Sequence, residues 1–228
     1  MNQELSVRAV APIELPPAPA PRPQEDALTR AAIAEMVEKG YTATTVQSVV
    51  ERAGVSREEF DRRFESLDQC ALDSFERIIA SFKRWVGSAF NAERDWPSAL
   101  RAAAYATTDW MEENPEATAF GMIEVLKIPG EMPRVRREET FDFCSRMIDR
   151  GREAAPDPEA IPELAPTFAI GAVTQLLTHR LQEEAAVDPP AVVPEMLVRI
   201  VEIYLGPEAA EAEWAAERPP RERLLGEG

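Results

Sequence analysis

Among the residues between Tyr41 and Arg63 are the hydroxyl side chains of Tyr41, Thr44, Thr45 and Ser56 and the guanidinium groups of Arg57, Arg62 and Arg63. Hydroxyls at the start of a helix, where unpaired backbone N–H groups and the helix dipole already favour anions, suit the phosphates of a nucleic acid. Guanidinium forks suit base edges, the bidentate pairing of Arg with guanine being the commonest specific contact. Other chemistry is poorly supplied. His179 is the only histidine, and with Glu183 it falls short of a metal or catalytic set. Glu112 and Glu113, like Glu138 and Glu139, are adjacent and so point to different sides of a helix, which unfits them as acid/base couples. No Gly-rich phosphate loop, nucleophile signature or HExxH is present, so neither an enzyme, a metal nor a cofactor is expected.

Positioning these groups requires two short helices and a tight turn. Thr44 and Thr45 start the first, and Val46, Val49, Val50 and Ala53 give it one apolar face. Gly54 closes it in the left-handed conformation, with Val55 dropping back as a plug. Ser56 starts the second helix, in which Ser56-x-x-Glu59 reads as a capping box. That helix is expected to run to about Phe64, with Phe60 and Phe64 inward and Arg57, Asp61 and Arg62 outward. Together they predict a helix-turn-helix, its second helix placed for a major groove.

The segment AAIAEMVEKGY, the core TTVQSVVERAGVS, the helix ending in Phe64 and a long fourth helix from Leu67 resemble the tetracycline-repressor (TetR) family of transcription regulators. The resemblance implies an all-α protein, with a three-helix DNA-reading head, a larger helical body that binds a small effector, and a homodimer. The family commonly has a small residue where this chain has Glu58, Thr, Ala or Leu at Glu59, Tyr at Asp61 and Lys at Leu67. Over Ser56 to Ser66 three arginines face Glu58, Glu59, Asp61 and Glu65, a net charge of −1. A phosphate-facing surface ordinarily leans the other way. The expected activity is a ligand-responsive regulator, a repressor binding operator DNA as a homodimer. The competing expectation is a dimeric binding module of the same fold that has lost DNA.

Composition bounds the rest. The chain of 228 residues is 45% hydrophobic and carries a net charge of −16, which argues against a general nucleic-acid coat or an anionic-membrane binder. Cys70 and Cys144 lack metal spacing and read as reduced, buried thiols of a cytoplasmic protein. No signal segment or membrane span is recognised.

Four regions are expected. Residues 1–24, with the run APIELPPAPAPRP, read as a disordered Pro/Ala-rich arm; 25–66 as the head; 67–206 as the helical effector-binding and dimerisation body; and 207–228 as an acidic, partly disordered tail. In the body, Pro97 and Pro115 open helices and IPGEMP makes a turn. Large side chains at Phe82, Trp85, Tyr105, Trp110, Phe120, Met122, Phe143 and Met147 are the candidate lining for a small apolar effector. Two apolar stripes, one through Phe168, Ala172 and Leu176 and one through Met196, Ile200 and Tyr204, are candidates for a four-helix dimer seam.

Overall fold

A computed structural model describes residues 9–17, 23–182 and 189–219. All regular structure among them is helical: α1 (Pro23–Lys39), α2 (Val46–Ala53), α3 (Arg57–Asp61), α4 (Leu67–Asn91), α5 (Trp96–Glu113), α6 (Pro115–Met122), α7 (Met132–Asp149), α8 (Ala165–Gln182), α9 (Pro189–Leu205) and α10 (Pro207–Trp214), with short 3-10 turns between some of them. The helices open and close where the sequence punctuates. Thr45 and Ser56 cap α2 and α3, Gly54 takes φ 69° after α2, and Pro115 stands in the first turn of α6.

The chain divides into two compact units, Pro17–Phe82 with Met111–Thr140, and Met1–Pro16 with Lys83–Trp110 and Phe141–Gly228. The boundary expected at Ser66 therefore falls inside the first unit. Its core explains why: Leu28, Met36, Val49, Val50, Phe60, Phe64, Cys70 and Phe75 are buried together with Phe120, Val125 and Ile128 from α6 and the turn after it. The Phe75 and Phe120 rings meet edge to face with centroids 6.4 Å apart. Glu35, buried on α1, takes hydrogen bonds from Lys39 Nζ (2.6 Å) and Arg52 Nε (2.7 Å) and so ties α1 to α2. These partners hold its carboxyl down at a pKa of about 2 against the desolvation that would raise it.

In the second unit Trp96 is the keystone. Its indole Nε1 donates to Met147 O (3.0 Å) and its ring lies 5.0 Å from that of Tyr204. Gly151 lets these rings approach, since a Cβ there would stand 2.5 Å from Trp96 and 2.7 Å from Tyr204.

Parts of the expected arm and tail carry structure among the described residues. Residues 9–17 are extended along α4: Ile13 is buried, its N–H donates to Asn91 Oδ1 (2.7 Å) and its carbonyl accepts from Asn91 Nδ2 (2.9 Å), while Arg84 donates to Pro16 O (3.1 Å). Prolines bar a helix but leave an extended strip whose few apolar side chains can dock. Residues 207–214 form α10, which buries Ala210 and Glu213. Cys70 is buried and Cys144 half-buried; both are free thiols pushed up to about 12 by loss of water.

Candidate nucleic-acid interface

The turn between α2 and α3 is held by reciprocal backbone and side-chain bonds. Thr45 Oγ1 accepts from Ser48 N (3.1 Å) and Ser48 Oγ accepts from Thr45 N (3.2 Å), a complete capping box. Val55 N bonds back to Val50 O (3.1 Å), closing α2 behind Gly54. At α3 only half of the expected box forms. Ser56 Oγ accepts from Glu59 N (3.2 Å), but the Glu59 carboxylate turns away toward two arginines. The helix also stops at Asp61, short of the expected Phe64, and Arg62 is its C-cap. Phe64 still bonds to Phe60 O (2.9 Å) and the two rings pack 5.4 Å apart, so the inward face survives where the helix ends.

Of the seven side chains expected at DNA, Thr45, Ser56, Arg57 and Arg62 are exposed. Thr44 is buried and its hydroxyl donates to Gly40 O (3.0 Å), which shapes the turn ahead of α2. Tyr41 is half-buried: its hydroxyl donates to Asp68 on α4, and its N–H donates to the buried Glu124 (2.8 Å). Burial and Asp68 push the phenol up to about 12. Glu124 also accepts from Lys127 (2.6 Å). Neither Asp68 nor Glu124 was a sequence candidate; Glu124 lies 83 positions from Tyr41, beyond the reach of any spacing argument.

The arginines are all engaged. Arg57 Nε lies 2.8 Å and 3.0 Å from the two Asp61 oxygens, and Glu59 accepts from both Arg62 and Arg63. Arg57–Asp61 is an exposed pair, worth roughly 0–1 kcal/mol, whereas Arg63 and Glu59 are largely out of water, at 19% and 16% exposed. The surface as it stands is a set of arginines held by neighbouring carboxylates, with an exposed Thr45 at the start of α2.

The eight candidate pocket residues are shared between the two units. Phe82, Phe120 and Met122 belong to the first unit; Trp85, Tyr105, Trp110, Phe143 and Met147 belong to the second. Phe120 is head core. Trp85 packs against the buried cluster of Ala89, Ala102, Tyr105 and Ala106. A cleft of about 770 Å³, lined by Asp142, Arg146, Arg152, Pro162 and their neighbours, includes none of the eight. The seam candidates divide as well. Phe168 is 74% exposed with Leu164 beside it at 71%, and Ala172, Leu176 and Met196 are half-buried, but Ile200 and Tyr204 are buried in their own unit, Tyr204 against Trp96.

Residues 28–73 match the family model of the bacterial regulatory proteins of the tetR family. No curated protein matches the chain in sequence. Among solved structures, SmeT, the repressor of the Stenotrophomonas maltophilia multidrug efflux pump SmeDEF, superposes with a TM-score of 0.70 at 20% identity, over 86% of this chain and 97% of that one. The fatty acid degradation regulator FadR of Bacillus halodurans gives 0.68 at 16%, over 80% and 96%. FadR of Bacillus subtilis, solved in complex with stearoyl-CoA, gives 0.67 at 14%, over 80% and 98%.

Proposed function

We propose, from the premise that residues 28–73 form a tetR-family helix-turn-helix head, that the chain is a ligand-responsive transcription regulator, a repressor that binds operator DNA as a homodimer. The observation that carries the reading is the built turn: Thr45, Gly54 and Ser56 hold α3 on α2 through caps, a left-handed glycine and the Phe60–Phe64 pair. Thr45 and the first turn of α2 take a phosphate. Arg57, Arg62 and Arg63 leave Asp61 and Glu59 for bases or flanking phosphates, and Ser56 lies at the groove edge. Tyr41 and Thr44 act indirectly, by fixing the start of α2. One short recognition helix supplies few contacts, so a two-fold protein on a two-fold site is needed. Leu164 just ahead of α8, Phe168, Ala172 and Leu176 on it, and Met196 on α9 are the proposed seam. Effector binding in the second unit acts through α4, a helix continuous from Leu67 to Asn91, by changing the separation of the two α3 helices.

Fluorescence anisotropy with the DNA upstream of the protein's own gene, against a scrambled duplex and across a salt series, tests it. Preference for the upstream duplex that weakens with salt is expected. A second reading, a dimeric binding module without DNA, is favoured by the grip of Glu59 on two arginines. No binding at low salt by a folded dimer would select it.

A further inference from the structure

Arg101, Tyr105 and Asp109 stand four residues apart on α5 and so share a helix face. The segment after α9 returns over that face. Glu213 of α10 accepts from Arg101 through both oxygens, Nε to Oε1 at 2.6 Å and Nη2 to Oε2 at 3.1 Å. Four residues past the end of α10, Arg218 sets its guanidinium 5.1 Å from the centroid of the Tyr105 ring and donates from Nη2 to Asp109 Oδ1.

The two pairs differ in kind. The first is bidentate, and both of its members are largely out of water. In the second, the Asp109 side chain is 1% exposed, yet it engages the guanidinium through one oxygen, and its buried Oδ2 has no hydrogen-bond partner. Arg218 remains 41% exposed. A carboxylate removed from water needs its lone pairs answered, and one contact from a half-solvated side chain leaves that need unmet. Nearby, Trp85 packs on the Ala89, Ala102, Tyr105 and Ala106 cluster, and its indole N–H is also buried with no partner.

We propose that Asp109 and Tyr105 form the recognition end of a binding site for an organic cation, and that Arg218 is a built-in occupant which such a ligand displaces. The ligand class is an amidinium, guanidinium or ammonium group joined to an apolar or aromatic portion. Its cationic group answers both oxygens of Asp109 and lies over Tyr105, an arrangement worth more where water is excluded. Its apolar portion meets the alanine cluster and Trp85. As an effector site it rests on the regulatory reading above, and it adds a cationic group to the small apolar effector expected from the sequence.

The tether makes Arg218 a competitor at high effective concentration, so removing it should tighten binding by the fraction of time the site is otherwise filled. Calorimetric titration of the full chain with octylguanidinium, and with octylurea as its uncharged counterpart, reads this directly. The Arg218→Ala variant is expected to bind octylguanidinium at least about tenfold more tightly than the parent, with octylurea weak in both. Adding Asp109→Asn should abolish the preference for guanidinium over urea. If that double variant does not fold, Tyr105→Leu in the Arg218→Ala background replaces it and should weaken guanidinium binding alone. Equal affinities of parent and Arg218→Ala, or a guanidinium preference that outlives both second substitutions, would overturn the site. Operator anisotropy on the same samples separates the two ideas. DNA binding that ignores octylguanidinium when the titration shows it bound sinks the effector role, whereas tight guanidinium binding without any DNA binding sinks the regulatory reading and leaves the site standing.

Discussion

Glu59 accepts from Arg62 and from Arg63, so a single carboxylate governs two of the three guanidinium groups that the turn can offer to DNA. On the proposed DNA-binding reading, phosphates replace it at Arg62, which is 71% exposed, more readily than at Arg63, which is 19% exposed. The Glu59→Gln variant should bind any duplex more tightly than the parent and show a steeper salt dependence, with the slope of log K against log salt growing by about 1 for each arginine recruited. An unchanged slope in the anisotropy series would mean that neither arginine reaches a phosphate. The spacing of Glu59 to Arg62 and Arg63, three and four positions, was legible in the sequence as a helix-surface pairing. Which of Glu58, Glu59 and Glu65 would take the arginines was not, because that depends on α3 ending at Asp61. Glu35 gives the residue scale its pH dependence. Its folded pKa is lowered from 4.5 to about 2, so the stability it contributes is complete above about pH 4.5 and is lost as pH falls toward 2. Allowing for the exposed ends of Lys39 and Arg52, the Glu35→Gln protein should be less stable by on the order of 2 kcal/mol at pH 7 and nearly equal to the parent near pH 2, as read by denaturant melts.

Among the elements, those bounded by local chemistry were legible: α2 and α3 announce themselves through Thr45, Gly54 and Ser56, and α6 through Pro115. The docked arm and α10 were not, because partners far along the chain decide them. Ile13 bonds to Asn91, 78 positions away, and Glu213 to Arg101, 112 positions away. An Ala- and Glu-rich run after a proline reads as tail until Arg101 is there to bury Glu213. The arm depends on a bare backbone at Gly87, where a Cβ would stand 2.4 Å from Leu15 and 3.0 Å from Phe143. Gly87→Ala should therefore unseat residues 9–17, and limited proteolysis should cut there much faster than in the parent while the far-ultraviolet circular dichroism barely changes. Gly54→Ala tests a different cost. Nothing crowds that site, so the expected loss of about 1 kcal/mol comes from the left-handed backbone alone.

For the whole molecule, Leu164 and Phe168, 71% and 74% exposed, are the most exposed large apolar side chains among the described residues, and exposure of that kind calls for a partner. Phe168→Glu should leave the fold intact and convert the proposed dimer to a monomer in sedimentation velocity, with operator affinity falling steeply because one head then binds alone. A dimer unaffected by that charge would move the seam elsewhere. Stripe periodicity showed where α8 and α9 are apolar but not which side each turns outward; Ile200 is buried and Tyr204 packs against Trp96. The two thiols bear on how the proposed motion could be watched. Burial pushes both thiols up to about 12, so Cys70 and Cys144 should alkylate more slowly than an exposed thiol. An exposed Glu58→Cys on α3 should therefore take a spin label ahead of them, and pulsed dipolar spectroscopy would then read the separation of the two α3 helices in the proposed dimer.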